Sequence, residues 1–160
     1  MDSSATHNIE MSNKTTRIAL VAINIFVAVT AAAGAVFVVP TLPPSWLSFF
    51  PDYTIPALGL GAVGLISLVA ALNVIFRPKL GAELSILAGA MMAFFEVVEA
   101  FAAGNLLAPP PGTSGGGPLW LQPFYFAIGV AMMFLGLRLW VKEAPGQTWS
   151  ARLRHPLTAE

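Results

Sequence analysis

The sequence predicts an all-α protein, a bundle of four transmembrane helices with a short interfacial helix in the first outer loop. Three observations predict it. Of the 160 residues, 56% are hydrophobic and 10% charged, whereas a soluble globular chain carries about 25% charged residues. Four apolar runs are long enough to cross a bilayer, whose hydrocarbon core takes about 20 helical residues. All 8 basic residues fall on one side of a four-span topology. The same composition excludes other classes. Low hydrophobicity is the mark of a disordered chain, and this chain is the opposite. No basic stripe is present to neutralise phosphates, so nucleic acid is not an expected partner. The chain contains no cysteine, which removes disulfides, thiolate metal sites and cysteine nucleophiles.

Residues 1–16 read as a disordered cytoplasmic tail, 17–141 as the membrane domain and 142–160 as a second cytoplasmic tail. The first apolar run covers residues 18–39 and is free of charge. It is longer than the apolar region of a signal peptide, and it ends in Val38, Val39 and Pro40 rather than in a small-residue cleavage site. The second run covers residues 55–76 and is also uncharged. A soluble four-helix bundle needs a polar face on every helix. These two runs offer only Asn24 and Thr30, and Ser67 and Asn73. The third run, residues 84–103, is interrupted by Glu96 and Glu99. The fourth, residues 119–139, is charge-free except for Arg138.

Orientation follows from the basic residues. Lys14 and Arg17 precede the first span, and Arg77 and Lys79 follow the second. Arg138, Lys142, Arg152 and Arg154 lie at or beyond the end of the fourth. The loops 40–54 and 104–118 contain no Lys or Arg. The positive-inside rule places the basic side, with both termini, in the cytoplasm of a multi-pass cell-membrane protein. Trp120 and Trp140 sit at opposite ends of the fourth span, as interfacial belt residues do.

In the first outer loop, Pro44 and Ser45 can start a short helix and Pro51 ends it. Trp46, Phe49 and Phe50 share one face of that helix and would lie at the interface; a lid over a pocket between the helices is the alternative. Asp52 can cap the second span, with Pro56 in its first turn. Residues 109–118, rich in Pro and Gly, read as a flexible connector.

Small residues mark the packing faces of membrane helices. They are Ala28, Ala31, Ala32 and Ala35 on the first span, and Ala57, Gly61 and Gly64 on the second. Gly81, Ser85 and Gly89 mark the third, and Gly129 and Gly136, with Met133, the fourth. Gly59, Gly61 and Gly64 formally match a dinucleotide-binding fingerprint, but that motif needs a preceding strand and a soluble βαβ unit. Asn24 and Asn73, both in the cytoplasmic half, are placed to bond across the first two helices.

The acids of the third span are the one chemical signal. Glu96 and Glu99 are three residues apart and share roughly one face. They continue the stripe of Ser85, Gly89 and Met92, so they are expected to face the bundle. Counted from Ala82, Glu96 lies about 21 Å up the helix and Glu99 about 26 Å, both in the outer half. An acid inside a membrane is a functional-site hypothesis by default. Every basic residue belongs to the other side, and neither His7 nor His155 lies in a span. The pair is therefore expected to be protonated, hydrated, bound to a cation or ligand, or paired with another subunit. Two nearby carboxylates in low dielectric do not both ionise cheaply, so at least one should hold a proton. Tyr125, Gln122 and Thr30 lie at similar depth, and Asp52 at the outer start of the second span. These residues could line an outward-facing polar pocket with Glu96 and Glu99. Tyr125 taken alone reads as an interfacial aromatic.

Two stretches resemble a widespread group of small four-helix bacterial membrane proteins without an assigned activity. One is Asp52, Tyr53, Thr54, Ile55 and Pro56, entering the second span. The other runs from Leu121 through Gln122, Pro123, Phe124 and Tyr125 to Phe126, entering the fourth. Glu99, after Val97 and Val98, stands where that group tends to carry Glu or Gln. Glu96 is a departure, since the group is apolar there. The resemblance spans residues 17–141 and implies topology and a bacterial inner membrane, with no mechanism. The small multidrug exporters are not similar, because they place their essential Glu in the first helix and this first helix has no acid.

Three function classes follow. One is a protein that binds or transports a small ligand, proton or cation through the outer pocket around Glu99. The second is an accessory subunit of a larger membrane complex, or a homo-oligomer, docking through the small-residue faces. The third and weakest is a membrane enzyme, for which the spans offer neither Cys nor His. Two Glu and an Asp could hold a hard cation such as Mg²⁺ or Ca²⁺, but their spacing is not diagnostic. Nothing in the sequence names a cofactor.

Overall fold

The computed structural model describes residues 3–38, 54–102 and 121–143. Nearly all of them are helical. Helix α1 spans Ser3–Ala33 and widens into a π-helical turn at Gly34–Val38. Helix α2 spans Thr54–Phe76, α3 Pro78–Ala102 and α4 Leu121–Glu143. No strand occurs among the described residues. Four stretches are long and apolar enough to cross a membrane: Asn13–Phe37, Thr54–Phe76, Pro78–Val98 and Gln122–Glu143. The all-α, four-span reading therefore holds. The expected interfacial helix around Trp46, Phe49 and Phe50 lies outside the described residues, as do Trp120 and the 109–118 connector.

Two helices begin earlier than their apolar runs. Helix α1 starts at Ser3, where the sequence suggests a disordered tail. Neither Gly nor Pro interrupts residues 3–33, so the helix propagates outward through a polar segment. Helix α3 starts at Pro78 rather than near Leu84. Proline suits a first helical position, where its missing N–H leaves no bond unmade.

Arg77 is the only residue between α2 and α3. Its N–H donates to Asn73 O at 2.7 Å, and Gly81 N–H donates to Arg77 O at 2.9 Å. The reversal is so sharp that a side chain at Gly81 would run into the backbone of Asn73 and Val74.

The four helices form a ring. Helix α3 packs most extensively on α4, α1 on α2 and α2 on α3, and the α1–α4 seam that closes the ring is thin. The α3–α4 seam is set by glycine. A Cβ on Gly89 would stand 2.5 Å from Gly129 O and 2.9 Å from Met132 Cβ, and a Cβ on Gly129 would stand 2.7 Å from Gly89 O. Only two glycines allow the backbones to come so close. Further toward the Arg77 end, Gly136 lies over Ala82 and Ile86. One core cluster gathers Val27, Ala31, Val63, Ala88, Met92 and Met132. A second, nearer the Arg77 turn, gathers Leu20, Val74, Ala82 and Leu139. Large apolar side chains such as Leu58, Leu65, Leu72 and Phe76 of α2 are exposed on the outside. In a lipid solvent that exposure carries no hydrophobic penalty.

Candidate functional site

The stripe of α3 that meets α4 is buried at Ala82, Ser85, Gly89, Met92 and Ala93. Glu96 comes next on this side. It is half-buried, with its Oε2 shut off from solvent. It stands two turns beyond the Gly89–Gly129 contact, about 10 Å along the helix, in the last turn of the Pro78–Val98 span. The spacing of two acids on one helix thus leads to one acid held against the bundle close to a membrane boundary.

Helix α4 runs antiparallel to α3. Gly136 meets Ala82 and Ile86, and Gly129 meets Gly89 and Ala93. Continued by one more turn, this register sets Tyr125 at the level of Glu96 and Gln122 at the level of Glu99. Tyr125 is half-buried and packs on the cluster that contains Met92 and Met132. It is therefore a partner of the core more than a belt residue. Its ring meets Phe124 edge-on, with centroids 5.5 Å apart, and Phe124 meets Phe26 of α1 at 6.3 Å and 89°. These rings close the thin α1–α4 seam at the depth of the acid. Gln122 is half-buried. Glu99 belongs to α3 by its backbone; its side chain and all of Asp52 lie outside the described residues. The Thr30 hydroxyl donates within α1 to Phe26 O at 2.9 Å.

A second polar feature sits deeper, toward the Arg77 end. Asn24 is fully buried. Its Nδ2 donates to Leu20 O at 2.8 Å and to Ser85 Oγ of α3 at 2.9 Å. Ser85 Oγ donates in turn to Gly81 O at 2.7 Å. Asn24 Oδ1 and Ser67 Oγ are buried and find no hydrogen-bond partner among the described residues. The expected bond across α1 and α2 is corrected here, because Asn73 donates to Val69 O of its own helix at 2.8 Å. Sequence reasoning also missed the bond from Trp140 Nε1 to Glu83 Oε1 at 3.0 Å, between α4 and α3. The available signals were Ser85 within the small-residue stripe and Glu83 in the first turns of α3.

Among the described residues, no group of three or more His, Cys, Asp or Glu is placed to hold a metal ion. A carboxyl with a phenol and an amide at neighbouring levels can hold a proton, share it, or supply a few oxygens to a small cation. No protein-family model, no curated protein and no solved structure matches the chain. The fold by itself defines a multi-pass integral membrane protein of four helices.

Proposed function

We propose that the protein binds a proton, a small cation or a small ligand in an outward-facing polar site at the far end of the bundle from Arg77. Glu96 is its centre. Glu99, Tyr125 and Gln122 adjoin it, and Asp52 at the entry to α2 completes the lining. The observation that supports this most directly is the half-buried Glu96, with one carboxylate oxygen shielded, on the α4-facing stripe of a membrane-crossing helix. A carboxyl so placed can carry a proton or face a cation. Its position in the last turn of the span favours exchange with the near side of the membrane. Glu→Gln keeps the shape of a neutral acid but cannot ionise. Wild-type protein in detergent is expected to change its melting temperature with pH or with added cations, whereas E96Q/E99Q stays flat. Matching flat responses would remove the ion-site reading.

The same reading places the basic end in the cytoplasm of a cell-membrane protein, because all 8 basic residues fall on one side of a four-span topology and the positive-inside rule sets that side inward. Cysteine introduced as S114C should react with an impermeant label from outside intact cells, and S150C should not. Labelling of S150C would reverse the orientation. The accessory-subunit alternative has less to stand on. Gly64, Gly89, Gly129 and Gly136 all pack within the chain, and among the described glycines Gly61 is the one with nothing within 4 Å of its Cβ position.

A further inference from the structure

A groove of about 990 Å³ runs along the outside of α1 at the basic end, away from the acid site. Its two ends differ in chemistry. Asn13, Lys14 and Arg17 of α1 and Glu143 of α4 line the polar end. Val21, Ala22 and Ile25 of α1, with Ile75 of α2, line the apolar remainder. From Arg17 to Ile25 the helix rises about 12 Å, close to the roughly 15 Å depth of one hydrocarbon leaflet. Two cations against one carboxylate leave the polar end net positive. Basic pockets of this kind at the cytoplasmic side of membrane helices suit anionic lipid head groups.

We propose that this groove holds one anionic phospholipid of the adjoining leaflet. Its phosphate sits by Lys14 and Arg17, and one acyl chain lies on Val21, Ala22, Ile25 and Ile75. The length and polarity select this occupant. The apolar floor ends after one leaflet, and the charges fall where head groups lie. A second copy of the chain would instead have to set a helix end against Lys14 and Arg17.

The full-length protein in mild detergent is titrated with phosphatidylglycerol and, separately, with phosphatidylcholine. Native mass spectrometry counts bound lipid, and thermal shift reads the stabilisation. One phosphatidylglycerol per chain is expected, bound more tightly than phosphatidylcholine. K14Q and R17Q should each weaken that preference about 5-fold. K142Q, at an exposed cation of the same end outside the groove, should leave it intact. Ala22→Phe, on an exposed face that tolerates bulk, should block the chain-binding floor and release the lipid while both cations remain. Equal binding of the two lipids would overturn the proposal. So would a loss in K142Q as large as in K14Q, which means diffuse surface charge, or unchanged binding in A22F, which means that no groove is used. A dimer mass without lipid would assign the face to a second copy.

Discussion

Asn24 and Glu96 are both polar residues on core-facing sides of membrane-crossing helices, yet the chain treats them differently. Asn24 is fully buried and spends its amide protons inside the chain, on Leu20 O and on Ser85 Oγ. Glu96 is half-buried near a membrane boundary, at the level of a tyrosine. An amide is neutral at every pH, so two helices can accommodate it with hydrogen bonds alone. A carboxyl has two charge states, and the Lys and Arg of the described residues lie at or near the Arg77 end of the helices or in the turns beside it. The inner polar layer is therefore a device for holding helices together. The acid near the membrane boundary is the group on which the proposed site rests.

Three substitutions break or sharpen this contrast. The largest effect is expected from Gly89→Leu, which drives a side chain into Gly129 O and Met132 between the two polar levels. Overpacking against backbone should cost about 3 kcal/mol or more. Gly61→Leu is the matched control, because nothing lies within 4 Å of its Cβ position; thermal unfolding of both in detergent makes the comparison. Equal melting temperatures would mean that the α3–α4 seam is open. Asn24→Ala should cost about 1–2 kcal/mol through the lost interhelical bond and the space left behind. A double-mutant cycle with Ser85→Ala should give a coupling of about 0.6 kcal/mol, the same at every pH tested. A coupling that varied with pH would tie the inner layer to the acid. The smallest effect belongs to Trp140→Phe. It keeps an aromatic ring, smaller than the indole, and loses the exposed bond to Glu83, for about 0.5 kcal/mol, read in the same melting assay.

The span count was legible because charge-free runs and one-sided basic residues report it independently. The glycine seam was legible because Gly89, Gly129 and Gly136 occur at helical spacing. The starts of α1 and α3 were not. A search for apolar runs stops where the first polar residues appear, and Lys79 and Glu83 lie in the opening turns of α3. The partner of Asn24 was hidden for another reason. A helix in lipid is apolar on nearly every side, so its hydrophobic pattern does not fix its rotation. Without the rotation, Asn73 and Ser85 look like equal candidates, and only packing decides for Ser85. The site was half legible. The pattern set Tyr125 and Gln122 at the depth of the acids but did not show that the Gly89–Gly129 contact fixes α3 against α4 just below them.

The one-residue turn at Arg77 also governs how the chain enters a membrane. With Phe76 ending one helix and Pro78 beginning the next, no loop separates the two spans during synthesis. Insertion of α2 and α3 as a single hairpin is therefore the expected route. The uncharged α2 then partitions together with the acid-bearing α3, which by itself meets a penalty for each carboxylate carried toward the bilayer centre. Lengthening the turn would uncouple the two insertions, and the helix holding Glu96 would be the one to lose efficiency.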